Sequence, residues 1–499
     1  MTQHSSEPST PFDSRSRLWI GFLGTELDGA LSDHLQAVRP GGIVLFRRNL
    51  RSAEQVRRLI GGLRELLGDA LFVSVDQEGG RVDRFGEIVS PFPGNHALGA
   101  IALEDLDRGC ELARRQGQQL GSELRAFGVD VNLAPCVDLA TEPANTIVDL
   151  RSFGADPECV RALACAMVEG QRAGGVFSTA KHYPGLGDAA VDPHDSMARI
   201  ASARGRAKHA GAFDIGAEFA MTTHVVVDSI DPSLPATYSP AVVSQLRSQL
   251  GTEPVLVTDD LEMGGLDDTR DRVDRVRRAL DAGHDVALVC HDRNAQRAVA
   301  DALLAADAEG AAWLGNRERV AARISKLRAR PSIGAGEEDG AALARTIADE
   351  AVHVLRGSLD LSGERTLVIV PQPAIRTGAE DLPDDPLAPL VAALSGAFDV
   401  ERLSAKPTGS DFARLAPRVV DYRHVVVVLA GVRFSSAQRE LARQVAEWHS
   451  GVLFALLSGR FDADVLPGGE GVTVVCAHGS ARSSQEALAR RLRSASERA

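Results

Sequence analysis

The chain has 499 residues, of which 44% are hydrophobic and 25% are charged, and its formal net charge is −13. That length exceeds one ordinary domain and suffices for a large barrel with a second unit. The composition is typical of a soluble globular protein, and the acidic balance argues against nucleic acid or an anionic membrane as a main partner. An anionic small substrate stays compatible with it, because a basic pocket can exist on an acidic surface.

The N-terminal segment and the cysteines indicate the compartment. Residues 1–16 are rich in Ser, Thr and Pro and contain no apolar core of signal-peptide length, which predicts a flexible N-terminus. The sequence contains no uninterrupted apolar span that could cross a bilayer. The six cysteines lack CxxC or zinc-ligand spacing, which favours small buried side chains over a metal or disulfide role. We therefore predict a cytoplasmic protein that does not associate with a membrane.

Short apolar runs alternate with amphipathic stretches over residues 17–330. Each run has the length of a buried strand, and the stretches Ala53–Leu67, Asp105–Phe127, Pro157–Ala173 and Asp271–Ala282 have helical periodicity. Eight such units predict a (β/α)8 TIM-type barrel, with an open parallel sheet as the alternative. The eight runs are Leu18–Leu23, Gly42–Phe46, Leu71–Val75, Val129–Ala134, Val176–Ala180, Met221–Val227, Val255–Thr258 and Val286–Cys290.

The rest of the chain predicts a second domain. Residues 331–340 are small, acidic and rich in glycine, as expected of a linker. Residues 341–499 then predict a smaller three-layer α/β domain with an open sheet, and they contain no phosphate-binding glycine loop. Its predicted helices are Ala341–Leu355, Ala437–Trp448 and Ser484–Leu492, and its predicted strands are Thr366–Val370, His424–Leu429, Val452–Leu457 and Val472–Cys476.

Ionisable side chains follow the predicted barrel strands. The chemistry of such barrels gathers at the C-terminal ends of the strands, and a packing role does not explain carboxylates and histidines at so many of these ends. The polar strand ends are Asp76-Gln77-Glu78, Pro135–Asp138, Lys181-His182, His224, Asp259-Asp260 and His291-Asp292.

Two of these regions together indicate glycosidic cleavage. The loop after Lys181-His182 contains the pair Asp192-x-His194, in which an aspartate can hold and tune a proton donor. Asp259 by itself could simply cap the following helix. Combined with a separate acid/base group, however, it supplies the nucleophilic carboxylate that cleavage of a glycosidic bond requires.

These motifs resemble glycoside hydrolase family 3, and specifically its β-N-acetylhexosaminidase branch. They span residues 17–330, and their order and spacing make the resemblance highly specific. The Asp-x-His pair marks the branch, because the β-glucosidases of the family take a glutamate from another part of the chain. The matching segments are Gly42–Asn49, Asp76–Val82, Arg151–Gly154, Lys181–Gly185, Asp192-x-His194 and Thr258-Asp259-Asp260-Leu261-x-Met263.

The resemblance implies a role for each matching residue. Asp259 would be the nucleophile and His194 the general acid/base, with Asp192 orienting the imidazole and raising its pKa. No metal and no cofactor are implied, and the second domain would contribute no catalytic group. The implied sugar-binding residues are Asp76, Arg84, Arg151, Lys181 and His182.

The implied activity is that of a retaining exo-β-N-acetylglucosaminidase whose partner is a small GlcNAc-containing carbohydrate, such as a muropeptide from cell-wall recycling. One alternative is a phosphorylase of β-N-acetylglucosaminides or β-glucosides, because a histidine acid/base repels an incoming phosphate less than a carboxylate does. A non-catalytic sugar-binding protein is the remaining alternative. Binding alone would require neither Asp259 nor the Asp192–His194 pair.

Overall fold

The computed structural model describes residues 13–189, 197–200, 209–250, 254–266, 269–315, 317–328, 338–363, 365–373 and 385–497. The predicted pair Asp192 and His194 lies outside the described residues, as do residues 1–12 and residues 331–337 of the predicted linker. Among the helices in the described ranges, none is both long and apolar enough to span a membrane.

The first part of the chain forms the predicted closed barrel of eight parallel strands. The strands in this part of the chain, eight in the barrel and five in two small sheets beside it, are β1 (Leu18–Ile20), β2 (Gly42–Leu45), β3 (Phe72–Val75), β4 (Gln77–Gly79), β5 (Val82–Asp83), β6 (Val131–Asn132), β7 (Phe177–Tyr183), β8 (Ala198–Ile200), β9 (Phe219–Thr222), β10 (Val225–Val227), β11 (Asp231–Pro235), β12 (Val255–Asp260) and β13 (Val286–Val289). The order around the barrel is β1-β13-β12-β9-β7-β6-β3-β2, which excludes the open-sheet alternative.

Helices separate most of these strands, and aspartate or serine side chains cap the first turns of most of them. Two of the four predicted helices have the predicted bounds, one begins one residue later, and one is shorter by one residue at each end. The helices are α1 (Gly29–Val38), α2 (Ala53–Leu67), α3 (Asn95–Ala102), α4 (Leu106–Phe127), α5 (Pro157–Ala173), α6 (Pro240–Gln249), α7 (Arg272–Asp281), α8 (Arg293–Glu309) and α9 (Arg317–Arg328).

Strand alternation divides the barrel core in two. Trp19 points inward, while its neighbours Leu18 and Ile20 pack against the surrounding helices. Inside the barrel, Trp19 stacks on Phe72 with ring centroids 5.5 Å apart and contacts Phe219 at 5.6 Å. The interior is therefore a packed apolar core, and the polar groups are left at one mouth.

One predicted strand is divided into two in the structure. The run Met221–Val227 predicts a single strand, yet it forms the end of β9 and the separate strand β10, which pairs with β8 and β11 beside the barrel. The chain turns away at Thr223 and His224. The buried His224 ring places Nε2 2.8 Å from the carbonyl oxygen of Asp260, so a polar contact interrupts the apolar run.

The second part forms the predicted smaller α/β domain. Its strands are β14 (His353–Arg356), β15 (Thr366–Pro371), β16 (Asp399–Leu403), β17 (His424–Leu429), β18 (Val452–Leu456) and β19 (Thr473–Cys476). Its helices are α10 (Gly340–Glu350), α11 (Ala388–Leu394), α12 (Gly409–Val420), α13 (Ser436–Trp448) and α14 (Arg482–Ser496). The sheet order is β14-β19-β18-β17-β15-β16, and alternate strand residues enter separate apolar cores on its two faces, which makes three layers.

The predicted helix Ala341–Leu355 ends early, at Glu350, and its last residues belong to β14. The reason is tertiary, because His353 and Val354 pair antiparallel with β19 at the edge of the sheet. The opposite edge strand, β16, is not among the predicted strands. Its sequence Asp-Val-Glu-Arg-Leu is largely polar and only partly buried, so no buried apolar run indicates it.

Candidate active site

A cavity of about 320 Å³ opens at the C-terminal mouth of the barrel. All the predicted site residues that the structure describes line it, namely Asp76, Arg84, Arg151, Lys181, His182 and Asp259. Apolar side chains form part of its wall, and further charged and aromatic groups stand around it. These other lining residues include Val44, Phe46, Arg47, Arg48, Val82, Leu133, Ile147, Leu186, Met221, Asp260, Met263, Leu288, Cys290 and His291.

Lys181 joins two carboxylates at the end of β7. Its Nζ lies 2.6 Å from Asp76 Oδ1 and 2.7 Å from Glu78 Oε1. Burial alone would lower the pKa of Lys181, but Asp76 and Glu78 outweigh it and raise that pKa, so the ammonium group stays charged. Asp76 is thereby held at the cavity surface with its carboxylate available to accept further hydrogen bonds.

Arg151 and His182 are oriented by buried acids. Arg151 donates to Glu78 through Nε at 3.0 Å and NH2 at 2.8 Å, a bidentate pair, and NH2 also donates to His182 Nε2 at 3.2 Å. Because Nε2 accepts, the ring proton is on Nδ1, which donates to Asp138 Oδ2 at 2.7 Å. Burial would raise the pKa of Glu78, yet Arg151 and Lys181 hold it well below its usual value.

Cys136, Asp138 and His182 form a grouping whose potential ligand atoms lie within 4.8 Å of one another. Burial raises the pKa of the Cys136 thiol well above its usual value, so the group is neutral. It donates to Asp138 Oδ2 at 3.3 Å. Asp138 therefore accepts hydrogen bonds from both His182 and the Cys136 thiol. These bonds explain why the three side chains lie together, and the grouping supports the imidazole ring.

Asp259 lies near the end of β12, where the register with β13 shifts between Val257 and Asp260. Such an irregularity re-aims a side chain at the end of a strand. Oδ1 of Asp259 accepts a hydrogen bond from the backbone N–H of Asp260 at 2.9 Å, and Thr223 Oγ1 lies 3.4 Å from Oδ2. The carboxylate is thus fixed in direction and borders the cavity.

The neighbouring Asp260 has a different environment. Its Oδ2 lies 3.1 Å from His291 Nε2, and its Oδ1 accepts from the backbone N–H of Glu262. The hydrogen bond with Asp260 raises the pKa of His291. The ring of His291 also lies 5.6 Å from that of Phe46, so this side of the cavity is partly aromatic.

Glu78 and Asp138 are absent from the predicted sugar-binding set, although both follow barrel strands and so carry the signal of polar strand ends. They do not line the cavity. Glu78 joins Arg151 to Lys181, and Asp138 fixes His182. Their burial behind the lining residues is a tertiary property, which a polar strand end does not reveal in a single sequence.

Residues 24–322, more than half of the chain, match the Glycosyl hydrolase family 3 N terminal domain. The chain belongs to glycosyl hydrolase family 3. It is therefore a glycoside hydrolase, as the resemblance of its motifs predicts.

Relatives place this family 3 member in the β-N-acetylhexosaminidase branch. A β-hexosaminidase of Stenotrophomonas maltophilia (strain K279a) is 38% identical over 281 residues, which cover 55% of this chain and 83% of that protein. The structure of a glycoside hydrolase family 3 β-N-acetylglucosaminidase from Paenibacillus sp. str. FPU-7 has a TM-score of 0.86 at 30% identity and covers 97% of this chain and 96% of its own.

A third relative is similar to about two thirds of the chain. NagZ from Neisseria gonorrhoeae, in complex with N-trifluoroacetyl-D-glucosamine, has a TM-score of 0.55 at 29% identity, with coverage of 68% of this chain and all of that protein. The Paenibacillus structure, in contrast, matches nearly the whole chain. This family 3 hydrolase therefore shares both its barrel and its smaller domain with a solved relative.

Proposed function

We propose that this family 3 hydrolase is a retaining exo-β-N-acetylglucosaminidase that releases terminal GlcNAc from β-linked substrates. The observation that carries the proposal is the shared cavity. Asp259, at the end of β12, borders the same space as Lys181 and His182, at the end of β7, and the Asp76 carboxylate. A nucleophilic carboxylate beside a cluster of hydrogen-bonding groups suits attack on the anomeric carbon of a held sugar.

In the proposed reaction, the Asp259 carboxylate attacks the anomeric carbon, and protonated His194 donates a proton to the leaving glycosidic oxygen. A glycosyl–Asp259 ester and a free alcohol result. Neutral His194, oriented by Asp192, then takes a proton from water, whose oxygen attacks the anomeric carbon and releases Asp259. Two inversions give net retention.

The sugar would be held from the side of β3 and β7. Asp76 can accept hydrogen bonds from adjacent hydroxyls, and Lys181 can donate while it remains paired with Asp76. Arg84, Arg151 and His182 are the further proposed contacts. The rigid pairing of Arg151 with the buried Glu78 supports such a role, because a side chain that is already oriented loses less conformational entropy when a ligand binds.

We propose muropeptide fragments from cell-wall recycling as the natural substrates, because the resemblance to the β-N-acetylhexosaminidase branch implies them. A GlcNAc-type sugar is further supported by the gonococcal NagZ relative, which binds N-trifluoroacetyl-D-glucosamine. The cytoplasmic location and the domain boundaries inferred from the sequence stay predictions.

An activity panel with aryl β-GlcNAc, β-Glc and β-GalNAc, run with and without inorganic phosphate, tests the proposal. We expect cleavage of the GlcNAc substrate and free GlcNAc as product under both conditions. A sugar 1-phosphate formed only with phosphate would favour the phosphorylase alternative. Binding of GlcNAc without cleavage of any substrate would favour the non-catalytic alternative. Cleavage of the β-Glc or β-GalNAc substrate but not of the β-GlcNAc substrate would overturn the assignment of the sugar.

A further inference from the structure

One arginine of the second domain reaches the barrel beside the candidate active site. Arg433 lies in a 3-10 turn, Val432–Phe434, that follows β17. Its NH2 pairs with Asp149 Oδ1, and its Nε donates to the carbonyl oxygen of Pro143 at 2.8 Å. The side chain is only 6% exposed, so this contact is largely removed from solvent.

The guanidinium group is fixed from its own domain as well. NH1 of Arg433 lies 3.0 Å from Oδ1 of the fully buried Asp462, whose other oxygen accepts from the backbone N–H of Val432 at 2.8 Å. Arg439 NH1 donates to the carbonyl oxygen of Arg433 at 2.6 Å. A buried, fully bonded polar network of this kind specifies one geometry, because each broken bond would strand a desolvated charge.

On the barrel side, Asp149 joins its own segment to the segment that contains Arg81. Its Oδ2 lies 2.9 Å from NH1 of Arg81, and the two side chains are 3% and 4% exposed. Asp149 has φ of 25°, in the left-handed region that non-glycine residues seldom adopt. The backbone is held in this conformation where the carboxylate bridges Arg81 to Arg433.

Both joined segments lead directly to the candidate sugar-binding residues. Asp149 begins the 3-10 turn that ends at Arg151. Arg81 lies in the turn between β4, which contains Glu78, and β5, which precedes Arg84. The ion pair of Arg151 with Glu78 therefore spans the same two segments that the Arg81–Asp149 pair holds together.

The loop that Arg433 contacts at Pro143 and Asp149 also borders the cavity through Ile147. Between these points, Asn145 Nδ2 donates to the carbonyl oxygens of Leu186 at 2.7 Å and Ala189 at 3.0 Å. The arginine thus contacts both ends of a loop that is itself bonded to the segment following β7.

We propose that Arg433 is a positioning residue for sugar binding: through Asp149 and Arg81, the second domain sets the placement of Arg151 and Glu78. Arg433 does not line the cavity, so it acts through these partners rather than on the substrate. The inference rests on the proposed glycosidase function for its kinetic readout. Misplacement of a binding group by about 1 Å can cost up to about a hundredfold in kcat/KM.

The test replaces Arg433 with Met, which keeps the aliphatic stem and removes the guanidinium group. We expect KM for aryl β-GlcNAc to rise about tenfold or more while kcat changes less than about threefold, because binding contacts shared by ground and transition states are weakened. The dissociation constant of free GlcNAc should rise by a similar factor. Arg433→Lys, which retains charge but lacks the planar fork, should give an intermediate KM.

Arg108→Met is the matched control. It removes another contact between the two parts of the chain, the 2.6 Å pair of Arg108 with Glu350, which does not border the cavity. We expect wild-type KM and GlcNAc affinity for this variant. A general loosening of the interface would raise KM in the Arg108 and the Arg433 variants alike. A positioning role of Arg433 raises KM only in the Arg433 variants.

Hydrogen–deuterium exchange gives a readout that needs no substrate. In the Arg433 variants, peptides covering residues 77–85 and 143–151 should exchange faster than in the wild type and in Arg108→Met. Wild-type KM and wild-type exchange in folded Arg433→Met, or in Arg433→Lys if the Met variant does not fold, would overturn the inference. If the wild-type protein does not cleave aryl β-GlcNAc, the proposed function fails, and the exchange data alone decide the positioning role.

Discussion

At the scale of single residues, the cavity wall is a set of charges that hold one another in place. Lys181 pairs with both Asp76 and Glu78, and Glu78 also binds Arg151. The buried cations Lys181 and Arg151 thus each have an acidic partner, which avoids the large free-energy cost of an isolated buried charge. The substrate-facing groups are therefore oriented before a sugar arrives.

The proposed nucleophile makes the sharpest single-residue prediction. Asp259→Asn should lower kcat about a thousandfold or more, because the amide cannot form the glycosyl ester, while GlcNAc binding is retained. Steady-state and burst kinetics with an aryl β-GlcNAc measure the loss. Asp260→Asn, one residue further along β12, is the comparison, and an equal loss in both variants would contradict the assignment.

The buried acid Glu78 should matter for stability. Glu78→Gln leaves Lys181 and Arg151 with less negative charge between them, and breaking a buried pair in this way costs about 3–5 kcal/mol in free energy of unfolding. Urea denaturation measures the change. Glu87→Gln removes a carboxylate that is 83% exposed and should shift the free energy by less than about 1 kcal/mol. Similar values for the two variants would refute the role of Glu78.

At the scale of elements, strand ends and the loops after them form the site, while a buried helix-to-strand junction contributes to stability. His284, between α7 and β13, is fully buried, with Nδ1 2.9 Å from the carbonyl oxygen of Ala279 and Nε2 2.7 Å from Thr222 Oγ1. It ties the end of α7 to β9 across the outside of the barrel. Acid should therefore weaken the fold at this junction.

Burial lowers the pKa of His284 to about 4, from about 6.5 in an unfolded chain. Above pH 6.5 the ring is neutral in both states and contributes nothing. As the pH falls from 6.5 to 4, only the unfolded chain takes up this proton, so stability is lost, by about 3 kcal/mol at pH 4. Unfolding measured across this range should be less pH-dependent in His284→Asn, and identical pH profiles would exclude the effect.

At the scale of the whole molecule, the second domain packs on the barrel next to the cavity but adds no residue to its lining within the described ranges. The contacts include Arg433 with Asp149, the pair of Arg108 with Glu350, and the rings of His96 and His478 at 5.6 Å. On the barrel side they involve the 3-10 turn at Asp149 and the helices α3 and α4. Support of the site from outside is the role that this arrangement suggests.

A cleavable linker tests that arrangement. A protease site inserted between residues 331 and 337 should allow cutting without separation of the fragments, because the contacts that join them do not depend on chain continuity. We expect the cut protein to elute as one species and to retain more than about half of its activity on aryl β-GlcNAc. The uncut insertion protein is the control, and separated fragments would contradict the prediction.

The sequence by itself determined the barrel, the smaller domain and the identity of six charged or polar residues that line the cavity. Strand and helix periods are local properties of the sequence, and they locate the strands. Because the chemistry of such barrels lies at the C-terminal strand ends, the strands in turn locate site residues such as Asp76, Lys181 and Asp259. The roles predicted for Asp192 and His194 rest on the sequence alone, since both lie outside the described residues.

Only the tertiary structure decided which residues support that cavity. Glu78 and Arg151 are 73 residues apart in the chain, and Asp149 and Arg433 are 284 apart, so no local pattern indicates either pair. The same holds for β14, where pairing with β19 replaced a predicted helical turn. Ion pairs and edge-strand pairing depend on proximity in space, which the fold creates and the periodicity of a single sequence does not contain.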